Sequence, residues 1–470
     1  MRSGPAGRRI RALGAVAATI CLGVFSGVTP ASAVSPPRVE SAVPVRSSPV
    51  GPPEPTEQRT YCATPSAAEH RDRTKPSAAQ SMMNLPEAWR FSRGAGQTVA
   101  VIDTGVTPHP RLLRLRAGGD YVSTGDGLRD CDAHGTLVAG IIAAQPGPRD
   151  AFAGIAPDAG LISIRQSSSA YSAKNHADSA DTATAVGSGY GSVRTLASAV
   201  VRAVELGATV INISEVACAP AGSRPDDRAL GAAVRYAYER DVVVVVAAGN
   251  LTQNSGCRNQ NPTPPPDDVD GWNAVTTVAS PAWFVPYVLT VGSVNADAGT
   301  PSSFSLHGPW VSVAAPGTAI VSLDATPGSS KLSDAQPGPH GPVPIAGTSF
   351  ATPYVSGTVA LVRARFPTLS AGEVMERVTR TAHAPGTGRD TEIGYGVIDP
   401  VAALTHEIPV EPTEPYATQR IAAPAPPASP DHAARNVAIV GVVVCIAVLA
   451  ATVGVALPHR RMRRLDPDEY

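Results

Sequence analysis

Between residues 84 and 405 the chain repeatedly sets a short unbroken apolar run beside a longer stretch of helical spacing. TVAVID (98–103), LISIR (161–165), ATVINIS (208–214), VVVVVAAGN (242–250), YVLTVGSV (287–294) and WVSVAAP (310–316) are rich in β-branched residues and show no polar alternation. A strand without that alternation is buried on both faces, as in parallel sheets whose crossovers are helices. HGTLVAGIIAA (134–144), VRTLASAVVRAVELG (193–207), DRALGAAVRYAYERD (227–241) and SFATPYVSGTVALVRARF (349–366) supply those helices. The expected fold is α/β, a mostly parallel sheet with helices on both faces, over residues 83–405. Ligands of such sheets bind beyond the carboxyl ends of the strands. Asp103, Ser214 and Asn250 end strands, while His134 and Ser349 open helices, so all five belong to that one edge.

The two ends of the chain point to a compartment. Residues 1–33 join a basic start (Arg2, Arg8, Arg9, Arg11) to an apolar run and then to Ala31-Ser32-Ala33, the pattern of a secretory signal peptide. Residues 34–82 are rich in Pro, Ser and Ala, lack hydrophobic periodicity, and read as an extended arm; regular structure is expected from about Asn84. Residues 406–436 form a Pro-rich linker. Residues 437–457 are an uncharged apolar stretch long enough for a transmembrane helix, and the basic tail 458–470 follows it. Positive charge stays cytoplasmic, which places the bulk of the chain outside the cell on a single-pass anchor with a cytoplasmic C-terminus. The 38 Lys and Arg against 39 Asp and Glu leave no basic excess for nucleic acid.

Export makes disulfides the default for Cys62, Cys131, Cys218 and Cys257. Cys218 and Cys257 each lie just past strands that one crossover helix connects, so these two are expected to pair. Cys62 and Cys131 then remain, and their bond would staple the arm beside His134.

The five residues at the sheet edge are the set that acyl transfer needs. A serine hydroxyl becomes a nucleophile only with a base to take its proton. A carboxylate must orient that base, and amide donors must meet the oxyanion. VAVIDTGV around Asp103, HGTLVAGII around His134 and GTSFATPYVSG around Ser349 resemble, in that order, the three signatures of the subtilisin-family serine proteases. The resemblance implies a subtilisin-like fold and a serine endopeptidase acting on polypeptide. It makes Asp103, His134 and Ser349 catalytic and Asn250 the side-chain oxyanion donor, and it places Ser214 in the substrate cleft. Pro353 is taken to sit in the first helical turn, where its missing N–H costs little. One departure stands out. Many subtilisins follow the cleft serine with Leu-Gly, whereas this chain has Glu215-Val216, which implies an acidic or narrowed cleft with Glu215 in substrate binding.

The whole-chain plan is similar to that of the mycosins, the membrane-anchored proteases of actinobacterial type VII secretion. That resemblance implies a wrapping arm, and the type VII secretion membrane complex as partner. No metal or other cofactor is expected, with calcium left open. His109, His307 and His383 lack a partner motif and read as surface or loop residues. The long polar segment 166–192 is expected to be either disordered or a docking loop.

Overall fold

The structure, a computed structural model, describes residues 34–408 apart from short stretches within 41–47, 67–71, 176–188, 224–225, 253–255, 266–269 and 339–340. It also describes helical residues between 439 and 451. Seven parallel strands form the central sheet. They are β1 (Thr98–Asp103), β2 (Leu115–Asp120), β3 (Gly160–Arg165), β4 (Val210–Ile213), β5 (Val243–Ala247), β6 (Leu289–Val294) and β7 (Val311–Pro316). Their order is β7-β6-β5-β4-β1-β3-β2. The strand carrying Asp103 is thus flanked by β3 and β4, with its carboxyl end at the centre of the edge where ligands bind.

Two-residue periodicity divides the core. Val99 and Val101 of β1 pack with α1 (His134–Ala143) and the long Thr348–Arg365 helix on one face. Ala100 and Ile102 pack on the other with α2 (Val193–Glu205) and α3 (Arg228–Glu239). The Thr348–Arg365 helix, α4, is buried along nearly its whole length, so Ser349 rests on a rigid element. Several elements were not anticipated, three of them beside the central sheet and α4. The edge strand β2 is polar and half exposed, and the helices Ala371–Arg380 and Pro400–Thr405 lie close against α4.

The arm is extended, as its composition implies, but it is fastened and its regular structure begins before Asn84. Thr56–Gln58 pairs antiparallel with Tyr171–Ala173, Ser66 bridges to Ala335, and a short helix spans Ala78–Ser81. Val34, Val39 and Val45 pack on the second core face. The partner strand Tyr171–Ala173 lies within the polar segment 166–192, part of which is therefore ordered by the arm.

Residues 1–408 and 409–470 form two separate compact units. The expected signal peptide 1–33, the linker beyond residue 408 and the tail 458–470 lie outside the described residues. Among the described residues no helix is long and apolar enough to cross a membrane; the stretch 437–457 runs past both ends of those described.

Candidate active site

Asp103, the last residue of β1, is fully buried, and its Oδ1 lies 2.7 Å from His134 Nδ1. The helix that carries His134 begins abruptly. Ala133 sits at φ +65° and its side chain cannot cap. Buried Asp130 takes that role from a distance. Its Oδ2 accepts the Thr136 amide (2.8 Å) and hydroxyl (2.6 Å), and its Oδ1 accepts the Thr104 hydroxyl (2.8 Å). One carboxylate thereby ties the end of β1 to the start of α1 and fixes Asp103 relative to His134. Gly135 permits the close approach, because a Cβ there would lie 2.1 Å from the Gly105 carbonyl oxygen.

Burial by itself would lower the His134 pKa. The charge and hydrogen bond of Asp103 outweigh it and, with Glu215 and Asp130 behind them, push it up to about 9. The imidazolium is thus stabilised, as a base that must hold a proton in mid-reaction requires.

Ser349 is the second residue of α4, so its own N–H has no partner within the helix. Gly347 holds the turn before it at φ +153°, where a Cβ would lie 3.0 Å from Ser349 Oγ and 3.3 Å from Asn250 Nδ2. Nucleophile and amide donor therefore border one small space in front of Gly347. Asn250 is held for donation, since its Oδ1 accepts the Thr348 N–H at 2.9 Å and the Thr348 hydroxyl at 3.1 Å. The His134 ring packs at 4.9 Å from Phe350, which brings it to the same helix start.

Pro353 is the sixth residue of α4, not a first-turn residue. It removes the N–H that would have bonded to the Ser349 carbonyl. Ser214 supplies the missing donor, its Oγ giving a 2.9 Å hydrogen bond to that oxygen. Asn212 Nδ2 donates to Ser214 Oγ (2.9 Å), and Ser356 donates to Asn212 Oδ1 (2.8 Å), closing the chain back on α4. The Ser214 side chain is buried and spent on bracing Ser349, so only its backbone is left to line a cleft. Asn212, Ser356, Asp130, Thr104 and Thr136 were not foreseen. A proline four residues after the serine was a usable signal, since it leaves a carbonyl in need of a donor.

Glu215 is partly exposed beside His134. One donor atom from each of Asp103, His134 and Glu215 lies within 4.8 Å of the others. Burial raises the Glu215 pKa, His134 opposes that, and Asp103 and Asp132 add to it. His109 departs from the surface reading. It is buried, accepts the Arg111 N–H at 3.1 Å, and burial lowers its pKa. The cysteines pair as expected, Cys62 with Cys131 (Cα–Cα 4.4 Å) and Cys218 with Cys257 (5.1 Å).

A parallel sheet with an Asp-backed histidine and a helix-start serine at its carboxyl edge defines a serine endopeptidase of the subtilisin type. The subtilase family model matches residues 94–396. Mycosin-4 of Mycobacterium tuberculosis is 47% identical over 451 residues, covering 94% of this chain and 95% of that one. The solved MycP3 protease from the type VII (ESX-3) secretion system is 48% identical with a TM-score of 0.75, covering 80% of this chain and all of the other. A chain in the structure of an intact ESX-5 inner membrane complex is 44% identical with a TM-score of 0.74, covering 90% of this chain and all of its own. The chain belongs to the subtilase family, in its mycosin branch.

Proposed function

We propose that Asp103, His134 and Ser349 are the catalytic triad of a membrane-anchored protease serving type VII secretion. The observation that carries the catalytic reading is the space before Gly347, bordered by Ser349 Oγ and Asn250 Nδ2. His134 takes the Ser349 hydroxyl proton as Oγ adds to the scissile carbonyl carbon. The oxyanion is met by Asn250 Nδ2 and the Ser349 N–H. Collapse breaks the C–N bond as His134 returns the proton to the leaving amine, and water then hydrolyses the acyl-enzyme. No cofactor enters these steps. Glu215, beside the reacting groups, favours substrates with a basic side chain near the scissile bond and disfavours acidic ones.

Residues 1–33 serve as the signal peptide and 437–457 as the anchor, leaving 34–436 extracytoplasmic and 458–470 in the cytoplasm. The ESX-5 likeness supports a place at a type VII membrane complex, and we infer a supporting role there that is separable from proteolysis. Tethering raises the effective concentration toward membrane partners and so favours them over bulk substrate. In a deletion strain, full-length Ser349→Ala should restore secretion at least partly. A chain ending before Asp431 should restore it poorly despite peptidase activity. Full rescue by the truncated chain, with none from Ser349→Ala, would leave a protease and no scaffold.

A further inference from the structure

Three acidic side chains, Asp103, Glu215 and Asp130, act on His134, and a fourth, Asp132, acts on Glu215; two of the four are already committed. Both Asp130 oxygens are taken by Thr104, Asp132 N–H and Thr136. Asp132 accepts the Ser168 hydroxyl at 2.5 Å and the Ser169 amide at 2.8 Å. The other two have capacity to spare. Asp103 bonds through Oδ1 alone, and its Oδ2 is buried with no hydrogen-bond partner. Glu215 has no hydrogen-bond partner among the described residues and is partly open to solvent.

One donor atom from each of Asp103, Glu215 and His134 lies within 4.8 Å of the others, and Asp103 also keeps an unpartnered buried oxygen; together they form a donor set for a small cation. A zinc ion with bonds of about 2.1 Å would hold tetrahedral ligands about 3.4 Å apart, so closure asks for a movement of about one ångström. One imidazole and two carboxylates suit Zn2+, whereas Ca2+ and Mg2+ favour all-oxygen sets. The ion reaches the set from the cleft, where the His134 side chain is 21% exposed. Water fills the remaining position. Glu215 is what separates this arrangement from an ordinary triad, because an apolar residue there would leave only Asp103 and His134.

We propose that Asp103, His134 and Glu215 form an inhibitory site for a borderline transition-metal cation, Zn2+ above all, which shuts the protease by occupying its base. Asp103 faces Nδ1, so the ion binds at that nitrogen, between the ring and the carboxylates. Coordination there leaves the ring proton on Nε2, so no lone pair remains to accept the serine proton. The inference rests on the triad reading for its inhibitory effect and on geometry alone for binding, and the test separates the two. Untagged full-length Ser349→Ala, titrated with zinc chloride in a calorimeter, should bind one ion per chain. Adding Glu215→Gln should weaken that binding at least tenfold. Wild-type peptidase activity should fall saturably with Zn2+ and return with EDTA, while Ca2+ and Mg2+ leave it unchanged. Glu215→Gln, normalised to its own metal-free rate, should need at least tenfold more Zn2+. Absence of one-to-one binding, or equal binding with Gln at 215, overturns the site. Binding that depends on Glu215 but leaves activity intact keeps the site and overturns the catalytic role of His134 instead.

Discussion

The catalytic rim and the N-terminal arm are both fixed in place, by opposite means. At the rim, each functional side chain is held by groups within a few residues or on the adjoining element: Asp130 binds α1 to β1, and Ser214 binds β4 to α4. The arm has almost no internal structure and is held by distant partners. These are a disulfide across 69 residues, a three-residue strand pair with Tyr171–Ala173, and the Ser66 bridge to Ala335. Local bracing sets geometry to a fraction of an ångström, which chemistry needs. Distant fastening restrains the unfolded chain and adds stability without shaping the reacting atoms. Rim substitutions should therefore change rates at nearly constant stability, and arm substitutions should do the reverse.

The sharpest form of this contrast is Ser349→Ala, which should lower kcat by roughly 10⁶-fold, the loss recorded for the equivalent change in a subtilisin, with the melting temperature nearly unchanged. Steady-state kinetics with a sensitive peptide, beside calorimetry, checks both halves. Cys62→Ser with Cys131→Ser should do the opposite, with kcat held and stability lowered by up to about 4 kcal/mol from loop closure. A large fall in kcat for that pair, at a temperature where the protein stays folded, would mean that the arm shapes the site after all. Asn250→Ala should cost about 10²–10³-fold in kcat with little change in KM, since the lost hydrogen bond forms only as the oxyanion develops. Equal losses in binding and turnover would point to a collapsed Thr348 turn instead, because Asn250 also accepts two bonds there.

The same contrast explains what the sequence revealed. The strands were readable because burial on both faces removes polar alternation, and β2 escaped because it lies at the sheet edge and stays polar. Asp103, His134 and Ser349 stood out because their chemistry recurs in a fixed order. Asp130 and Asn212 did not, because a buried hydrogen-bond acceptor has no periodicity and no motif of its own. Pro353 was seen but misplaced by a turn, and with it went the reason for the Ser214 hydroxyl. The arm had no internal signal for its strand at Thr56–Gln58, since that strand exists only through its partner. The cysteines were the exception. Strand connectivity brought Cys218 to Cys257 and left Cys62 to Cys131, so one distant attachment of the arm was legible after all.

The smallest expected effect tests whether Glu215 acts electrically on the rim or only lines it. His134 must be neutral to accept the serine proton, so kcat/KM rises with pH as the imidazolium loses its proton. Burial works against that imidazolium, and Asp103, Glu215 and Asp130 together raise its pKa to about 9. Removing one negative neighbour makes the imidazolium less stable, so the pKa falls and the acidic limb moves to lower pH. Two unit charges about 4 Å apart interact by about 1 kcal/mol in water, and Glu215 is partly exposed, so Glu215→Gln should move the limb by about one pH unit or less. The burial that raises the Glu215 pKa sets where the shift appears. Once Glu215 is protonated it carries no charge to remove, and the wild-type and Gln profiles should converge at the acidic end. Asp132→Asn serves as the comparison, because that carboxylate, engaged by Ser168 and Ser169, acts on Glu215 and is not among the charges that raise the His134 pKa, so its effect on the limb should be smaller. A limb that moves to higher pH in Glu215→Gln, or moves further in Asp132→Asn, would show that Glu215 does not act on His134 through its charge.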